Sequence, residues 1–126
     1  MKALVCGGRT WRDRGAVDRA LSLLNPSEII HGGAPGADSL AADWALDNFV
    51  LCTAFYADWN KHGRAAGPIR NQRMLDEGKP DVVVAFPGGR GTQDMIDRAR
   101  RAFVRVVEPC SPSSAPAQSG DTPCGD

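Results

Sequence analysis

Three short turns rich in glycine carry most of the residues that could do chemistry in this chain. They span residues 7–10, 32–38 and 87–92, and each follows a short apolar run. Glycine lets backbone amides approach a phosphate closely, and a helix that begins after such a turn adds unpaired N–H groups and a positive dipole end. Arg9 and Arg90 lie inside two of the turns, where a guanidinium can form paired hydrogen bonds with phosphate oxygens. The turns therefore predict a phosphate-binding site.

A few residues outside the core of these turns could complete such a site. Arg70 and Asn71 fall in the predicted first turn of a helix and could clamp a phosphate. Asp38 opens another helix, where its carboxylate either accepts from a ribose hydroxyl or favours the helix dipole. Trp59 either stacks on a base or anchors its loop, and His31 is interpreted as a structural histidine. The predicted ligand-binding residues are Gly7, Gly8, Arg9, Gly32, Gly33, Gly36, Asp38, Trp59, Arg70, Asn71, Pro87, Gly88, Gly89, Arg90, Gly91 and Thr92.

Several common kinds of site are disfavoured by the motifs that the sequence lacks. No turn is followed by the Gly-Lys-Ser/Thr of a Walker A loop, and none has the Gly-x-Gly-x-x-Gly spacing of dinucleotide-binding proteins. The cysteines have no metal-ligand spacing, so we predict neither a metal nor a resident cofactor. Cys6 and Cys52 lie in apolar runs and are predicted to be buried, whereas Cys110 and Cys124 are predicted to be exposed free thiols.

Short apolar runs alternate with stretches of helical spacing, and this pattern must position the turns. It is typical of an α/β domain of the Rossmann-like, three-layer kind, with a parallel sheet of about five strands. Because the strands are continuously apolar, we expect them to be buried on both faces. The three turns would then meet at the carboxyl edge of the sheet, where ligands of such folds bind. Predicted strands span 3–6, 28–31, 49–55, 81–86 and 104–107, and predicted helices span 17–24, 37–45, a stretch beginning at Pro68 after an irregular segment 56–67, and 95–102.

Length and composition indicate one soluble domain. The 126 residues contain 15 basic and 15 acidic side chains, and this balance makes nucleic acid an unlikely partner because its binders usually carry a basic excess. No stretch is long enough for a transmembrane helix, and the start of the chain does not have a signal-peptide pattern, so we expect a cytoplasmic protein without membrane contact. Residues 1–108 form the predicted ligand-binding domain. Residues 109–126 are a Ser/Pro-rich tail that we predict to be disordered.

The chain also resembles a known family at five places in order. The 87–92 turn resembles the PGGxGT signature of the LOG phosphoribohydrolases and of the wider SLOG superfamily, and the similarity is closest to the YspA/YpsA-related branch of small bacterial and phage proteins. The resemblance implies a Rossmann-like domain, a nucleotide-derived ligand and a homodimer. The matching pieces lie at residues 7–9, 31–38, 57–59, 66–71 and 86–92.

The same resemblance bears on catalysis. The LOG enzymes cleave the N-glycosidic bond of nucleoside 5′-monophosphates with an arginine that corresponds to Arg70 and a glutamate three residues after the signature threonine. Met95 stands at the glutamate position and Asp94 is adjacent, so Arg70 and Asp94 are the tentative catalytic residues. Our first hypothesis is a sensor or processing module that binds a nucleoside monophosphate or an ADP-ribose-like molecule. The alternatives are an N-glycosidase of the LOG kind and a single-stranded DNA binder similar to DprA.

Overall fold

The computed structural model describes residues 1–110, and the predicted tail falls, from residue 111 onward, outside the described residues. Strands and helices alternate along the chain, and every neighbouring pair of strands is parallel. The elements are β1 (Lys2–Cys6), α1 (Arg14–Leu24), β2 (Glu28–His31), α2 (Ala37–Asp47), β3 (Leu51–Ala54), α3 (Trp59–His62), α4 (Ala66–Asp76), β4 (Val82–Ala85), α5 (Arg90–Arg101) and β5 (Arg105–Val107).

The five strands form one sheet in the order β3-β2-β1-β4-β5, with helices on both faces. This confirms the predicted α/β, three-layer, Rossmann-like fold. The chain builds outward from β1 in one direction and then crosses to β4 on its other side. The reversal of strand order therefore lies between β1 and β4, which is the point where ligands of open α/β sheets bind.

Side chains of the central strands alternate between two apolar clusters, as the two-residue period of a strand requires. On β1, Val5 packs with the buried faces of α1 and α2, whereas Leu4 packs with those of α4 and α5. Leu4 and Val5 are both fully buried. The continuous apolar character of β1, β2 and β4 thus reflects burial on both faces, as predicted. Asn25 ends α1 in the left-handed conformation, at the position where the Asn-Pro pair predicts the end of that helix.

The prediction of a third buried strand over 49–55 is wrong in its burial. The strand is shorter, Leu51–Ala54, and forms an edge of the sheet that pairs with β2 alone. Cys52 is exposed instead of buried. An apolar run in the sequence does not distinguish a central strand from an edge strand, because that distinction depends on strand order.

The segment 56–67 is also more regular than expected. Asp58 accepts a hydrogen bond from the Lys61 amide and caps the short helix α3. A 3₁₀ turn at Gly63–Ala65 follows, and α4 begins at Ala66 rather than at Pro68. Arg70 consequently lies in the second turn of α4 and not in its first. Within residues 1–110, no helix combines the length and the apolar character that crossing a bilayer requires.

Candidate functional site

The three glycine-rich turns are joined to one another through Gly8. Its amide donates to the carbonyl of Pro87 at 2.9 Å, and its own carbonyl accepts from the amides of Trp11 and Ala37 at 3.2 Å each. The first turn is therefore bonded to both of the others. A Cβ added at Gly8 would lie 2.9 Å from the Pro87 carbonyl oxygen, so the close approach requires glycine at this position.

A single cavity of about 1090 Å³ opens where the turns meet, at the carboxyl edge of the sheet. Its volume is at the upper end of the range typical of small-molecule sites. Most of the predicted site residues line it: Gly7, Gly8, Arg9, Gly32, Asp38, Trp59, Arg70, Asn71, Pro87, Gly88, Gly89, Arg90, Gly91 and Thr92.

Gly33 and Gly36 are predicted site residues that do not line the cavity. Both have positive φ, +72° and +80° respectively. A Cβ on Gly33 would collide with the ring of Tyr56, and one on Gly36 would collide with the Gly8 carbonyl. These two glycines shape the second turn and let it pack against its neighbours, so their contribution to the site is indirect.

The start of α5 presents free backbone donors at the third turn. Gly89 is the N-cap and supplies no side-chain acceptor. Within the described residues, no protein acceptor is bonded to the amides of Arg90, Gly91 or Thr92, and the first amide of this helix bonded to backbone is that of Gln93, to Gly89. Such amides, together with the positive end of the helix dipole, form an anion-binding arrangement.

Charge around the cavity is predominantly positive. Four arginines line it, contributed by the first turn, the 3₁₀ turn, α4 and α5. Two carboxylates, Asp38 and Asp94, are the acidic residues of the lining. The chain is neutral as a whole, so the excess of cations is a local feature of the site. The four arginines are Arg9, Arg64, Arg70 and Arg90.

Arg70 and Asp38 hold the second turn in place from opposite sides. The Asp38 carboxylate accepts from the amides of Gly32 at 3.0 Å and Ala34 at 3.2 Å. Arg70 donates through Nη1 to the Gly32 carbonyl at 2.6 Å and through Nε to the Asn71 side chain at 3.0 Å. Arg70 is thus bonded to the scaffold through two of its guanidinium nitrogens while lining the cavity.

Asp38 is nearly inaccessible, with 6% of its surface exposed. Burial raises its pKa to about 6, against the opposing effects of hydrogen bonds from Ala34 and Gly32 and of the charges of Arg70 and Arg9. A buried carboxyl group that titrates near neutrality within a cavity is a recognised mark of a functional site.

Asp94 has a different environment, although it also lines the cavity. Its carboxylate accepts from Asn71 Nδ2 at 3.0 Å and from Arg98 Nε at 2.8 Å. Partial burial opposes ionisation, but these hydrogen bonds and the charge of Arg98 outweigh it and lower the pKa of Asp94. Asp94 therefore joins α4 to α5 as an ionised carboxylate. The adjacent Met95 is fully buried in the apolar cluster on the α4/α5 face.

Burial disfavours the charged forms of two further groups beside the site. Burial raises the pKa of the Cys6 thiol, and the charges of Asp38 and Glu108 add to the effect. Burial and the charge of Arg70 lower the pKa of His31. Its Nδ1 accepts from the Gly33 amide at 2.9 Å, so His31 supports the turn, as expected of a structural histidine. No group of three or more metal-binding side chains occurs within residues 1–110.

Two aromatic residues line the cavity, Trp11 from the loop after β1 and Trp59 from the start of α3. Trp59 is 51% exposed, and its ring lies over the α4 glycine Gly67. Trp11 stacks on Phe86 with ring centroids 5.9 Å apart and also lines the cavity. Arg64 was missed altogether, because a lone arginine in an irregular segment carries no motif.

Comparison with known proteins places the chain in a family. A profile of the YspA, cpYpsA-related SLOG family (YAcAr) matches residues 1–62. The Gene 61 protein of Mycobacterium phage D29 is 38% identical over 118 residues, which cover 84% of this chain and 94% of that protein. The chain belongs to the YspA, cpYpsA-related SLOG family.

A solved structure is similar at lower identity. DNA processing protein A (DprA) from Streptococcus pneumoniae aligns with a TM-score of 0.49 and 20% sequence identity, over 84% of this chain. This SLOG chain spans 58% of the length of that DprA chain.

Proposed function

We propose that this SLOG protein binds a nucleotide or nucleotide-derived ligand, either a nucleoside monophosphate or an ADP-ribose-like molecule, as a sensor or processing module. The observation that carries the proposal is the convergence of all three glycine-rich turns on one cationic cavity at the carboxyl edge of the sheet. Membership of the SLOG family supports a ligand of this class.

The phosphate would lie at the start of α5. Free amides of Arg90, Gly91 and Thr92 point out of the helix there, and Arg9 and Arg90 flank the same cavity. Backbone N–H groups, a helix dipole and guanidinium groups all favour an anion. No carboxylate belongs to this turn, so a phosphate there meets no negative charge from the turn itself.

The remaining lining suits a nucleoside. Trp59 offers an exposed ring on which a base can stack. Asp38 supplies a carboxylate oxygen that can accept from a ribose hydroxyl. The cavity volume of about 1090 Å³ leaves room for a second phosphate and sugar, as an ADP-ribose-like ligand requires.

The N-glycosidase alternative lacks the glutamate that the LOG enzymes use, because Met95 stands at its position. Hydrolysis of an N-glycosidic bond needs a carboxylate that stabilises the ribosyl cation and activates water. Asn71 of α4 and Arg98 of α5 both donate to Asp94 Oδ2, and Met95 is buried away from the cavity. The proposal therefore rests on ligand binding and assigns no reaction to Asp94.

A thermal-shift screen tests the proposal. The panel contains the four nucleoside 5′-monophosphates and ADP-ribose, with the four nucleosides as matched controls that lack phosphate. A ligand present at about a hundred times its dissociation constant stabilises the folded state by about 2.7 kcal/mol, or roughly 10 °C for a domain of this size. We expect a shift of this size with at least one phosphorylated member and little with its nucleoside. Equal shifts from a nucleoside and its phosphate would refute the phosphate site, and no shift throughout would refute the ligand class.

A further inference from the structure

The β3 edge of the sheet carries an unusual amount of exposed apolar surface. Phe49 is 98% exposed, Leu51 72% and Tyr56 70%. Residues 49–57, which include all of β3, contain no charged residue and no proline. Natural proteins normally protect an edge strand with lysine, proline, a bulge or a covering element, because its free backbone groups otherwise pair with another chain. At four residues β3 is short, but the segment 49–57 has no lysine and no proline to protect it.

The direction of the backbone groups on β3 follows from its pairing with β2. The Phe55 amide donates to the His31 carbonyl at 2.8 Å, so Phe55 directs its backbone groups toward β2. Alternate residues of a parallel strand face the same neighbour, and Thr53 therefore also faces β2. The amides and carbonyls of Cys52 and Ala54 are consequently directed to the open side.

We propose that two copies of this chain associate by antiparallel pairing of their β3 strands, with the two-fold axis passing between the two Thr53 residues. In this register Cys52 lies opposite Ala54 of the second copy, and each of these residues exchanges both an N–H and a C=O hydrogen bond with the other. The two-fold axis generates the same pair of bonds between Ala54 and Cys52 of the second copy. The amides and carbonyls of both Cys52 and Ala54, which face the open side of β3, are then all hydrogen-bonded. Two five-stranded sheets then form one sheet of ten strands.

The side chains that this register brings together are also compatible with one another. Residues equidistant from Thr53 face each other, which places Leu51 beside Phe55 of the second copy and Val50 beside Tyr56. Every such pair is uncharged, and apolar or aromatic cross-strand pairs stabilise a sheet. Because the segment is complementary to itself about Thr53, a second copy fits it without requiring a different partner.

The exposed apolar side chains supply a little over half of the area that such an interface buries. Phe49, Leu51 and Tyr56 together expose roughly 450 Å² of surface at their observed exposures, and the backbone edge adds to it. A standard interface buries about 800 Å² on each partner. Phe49, Leu51 and Tyr56 do not line the site cavity.

Disulfide cross-linking tests the register. Thr53→Cys is made in a background in which Cys52, Cys110 and Cys124 are serine. Directly opposed residues in a non-hydrogen-bonded antiparallel pair have Cα atoms about 4.5 Å apart, within the range that a disulfide spans. We expect mild oxidation to convert most of Thr53→Cys to a covalent dimer. Leu51→Cys in the same background is the matched control, since the two copies of residue 51 would be four positions out of register and would stay uncross-linked.

Light scattering tests the association without cross-links. We expect the unmodified protein at about 100 µM to have twice its 13.4 kDa chain mass. Thr53→Lys places two ammonium groups opposite each other and should give a single-chain mass with an unchanged circular dichroism spectrum. A single-chain mass for the unmodified protein would overturn the proposal. So would equal cross-linking of the two cysteine variants, or a Thr53→Lys protein that keeps the double mass.

Discussion

Gly89→Val is expected to eliminate ligand binding while leaving the fold intact. A Cβ added at Gly89 meets no heavy atom within 4 Å, and its φ of −98° is outside the left-handed region that favours glycine. The valine side chain would project over the free amides at the start of α5 and exclude a phosphate from them. We expect the dissociation constant of the best ligand from the nucleotide screen to rise at least 100-fold, as measured by calorimetry, with a melting temperature close to that of the unmodified protein.

Two further substitutions serve as controls for this experiment. Leu23→Val introduces the same side chain at an 88% exposed position on α1, away from the cavity, and should leave both binding and stability unchanged. Gly88→Ala should instead lower stability, because its Cβ would lie 2.6 Å from the Gly8 amide nitrogen and would collide with the Thr92 hydroxyl. Unchanged affinity in a folded Gly89→Val protein would contradict the placement of the phosphate.

Asp38→Asn is expected to stabilise the folded protein at neutral pH and not in acid. The pKa of Asp38 is about 6 when folded and 3.8 for the free side chain, so the folded state binds more protons than the unfolded state between these values. Stability therefore falls as pH rises from about 4 to about 6. A difference of about two pKa units corresponds to a penalty on the order of 3 kcal/mol above pH 6. Asparagine keeps an acceptor for the Gly32 and Ala34 amides without the charge.

Urea denaturation at pH 4 and pH 7.5 measures this effect. The Asp38→Asn protein should exceed the unmodified protein by roughly 2–3 kcal/mol in free energy of unfolding at pH 7.5, and the difference should largely vanish at pH 4. Asp97→Asn, at an exposed position on α5, should show no comparable dependence on pH. An Asp38→Asn protein that is less stable than the unmodified protein at pH 7.5 would contradict this expectation. It would mean that the hydrogen bonds to the charged carboxylate stabilise the fold by more than the burial of its charge destabilises it. If Asp38 destabilises the folded protein at neutral pH, a role in ligand binding would explain why a carboxylate stands at this position.

The sequence predicted the parts of this structure that depend on local pattern. Alternating apolar runs and helical stripes specify strands and helices, and parallel pairing then brings the ends of β1, β2 and β4 to one edge. The turns that follow these strands consequently converge, as expected from residues 7–10, 32–38 and 87–92. Asp38 at the start of α2 and His31 at the end of β2 follow from the same local signals.

Features that depend on strand order and on side-chain packing could not be obtained in this way. The apolar run around Leu51 looks like a central strand, and only the sheet order shows it at an edge. Gly33 and Gly36 have the same composition signal as the lining glycines, yet Tyr56 and Gly8 occupy the space beside them. Arg70 has no sequence feature that marks its bond to the Gly32 carbonyl, since that contact joins residues 38 positions apart.

Titration of ¹⁵N-labelled protein with adenosine 5′-monophosphate and with ADP-ribose, followed in the amide spectrum, measures where the ligand binds. We expect the largest changes at the amides of Gly8, Arg90, Gly91 and Thr92, because these groups line the cavity and those of α5 lack protein acceptors. Lys79, which precedes β4 at the opposite edge of the sheet, should be unaffected. Changes confined to residues outside the cavity, or an unchanged spectrum with both ligands at millimolar concentration, would contradict a nucleotide site at the three turns.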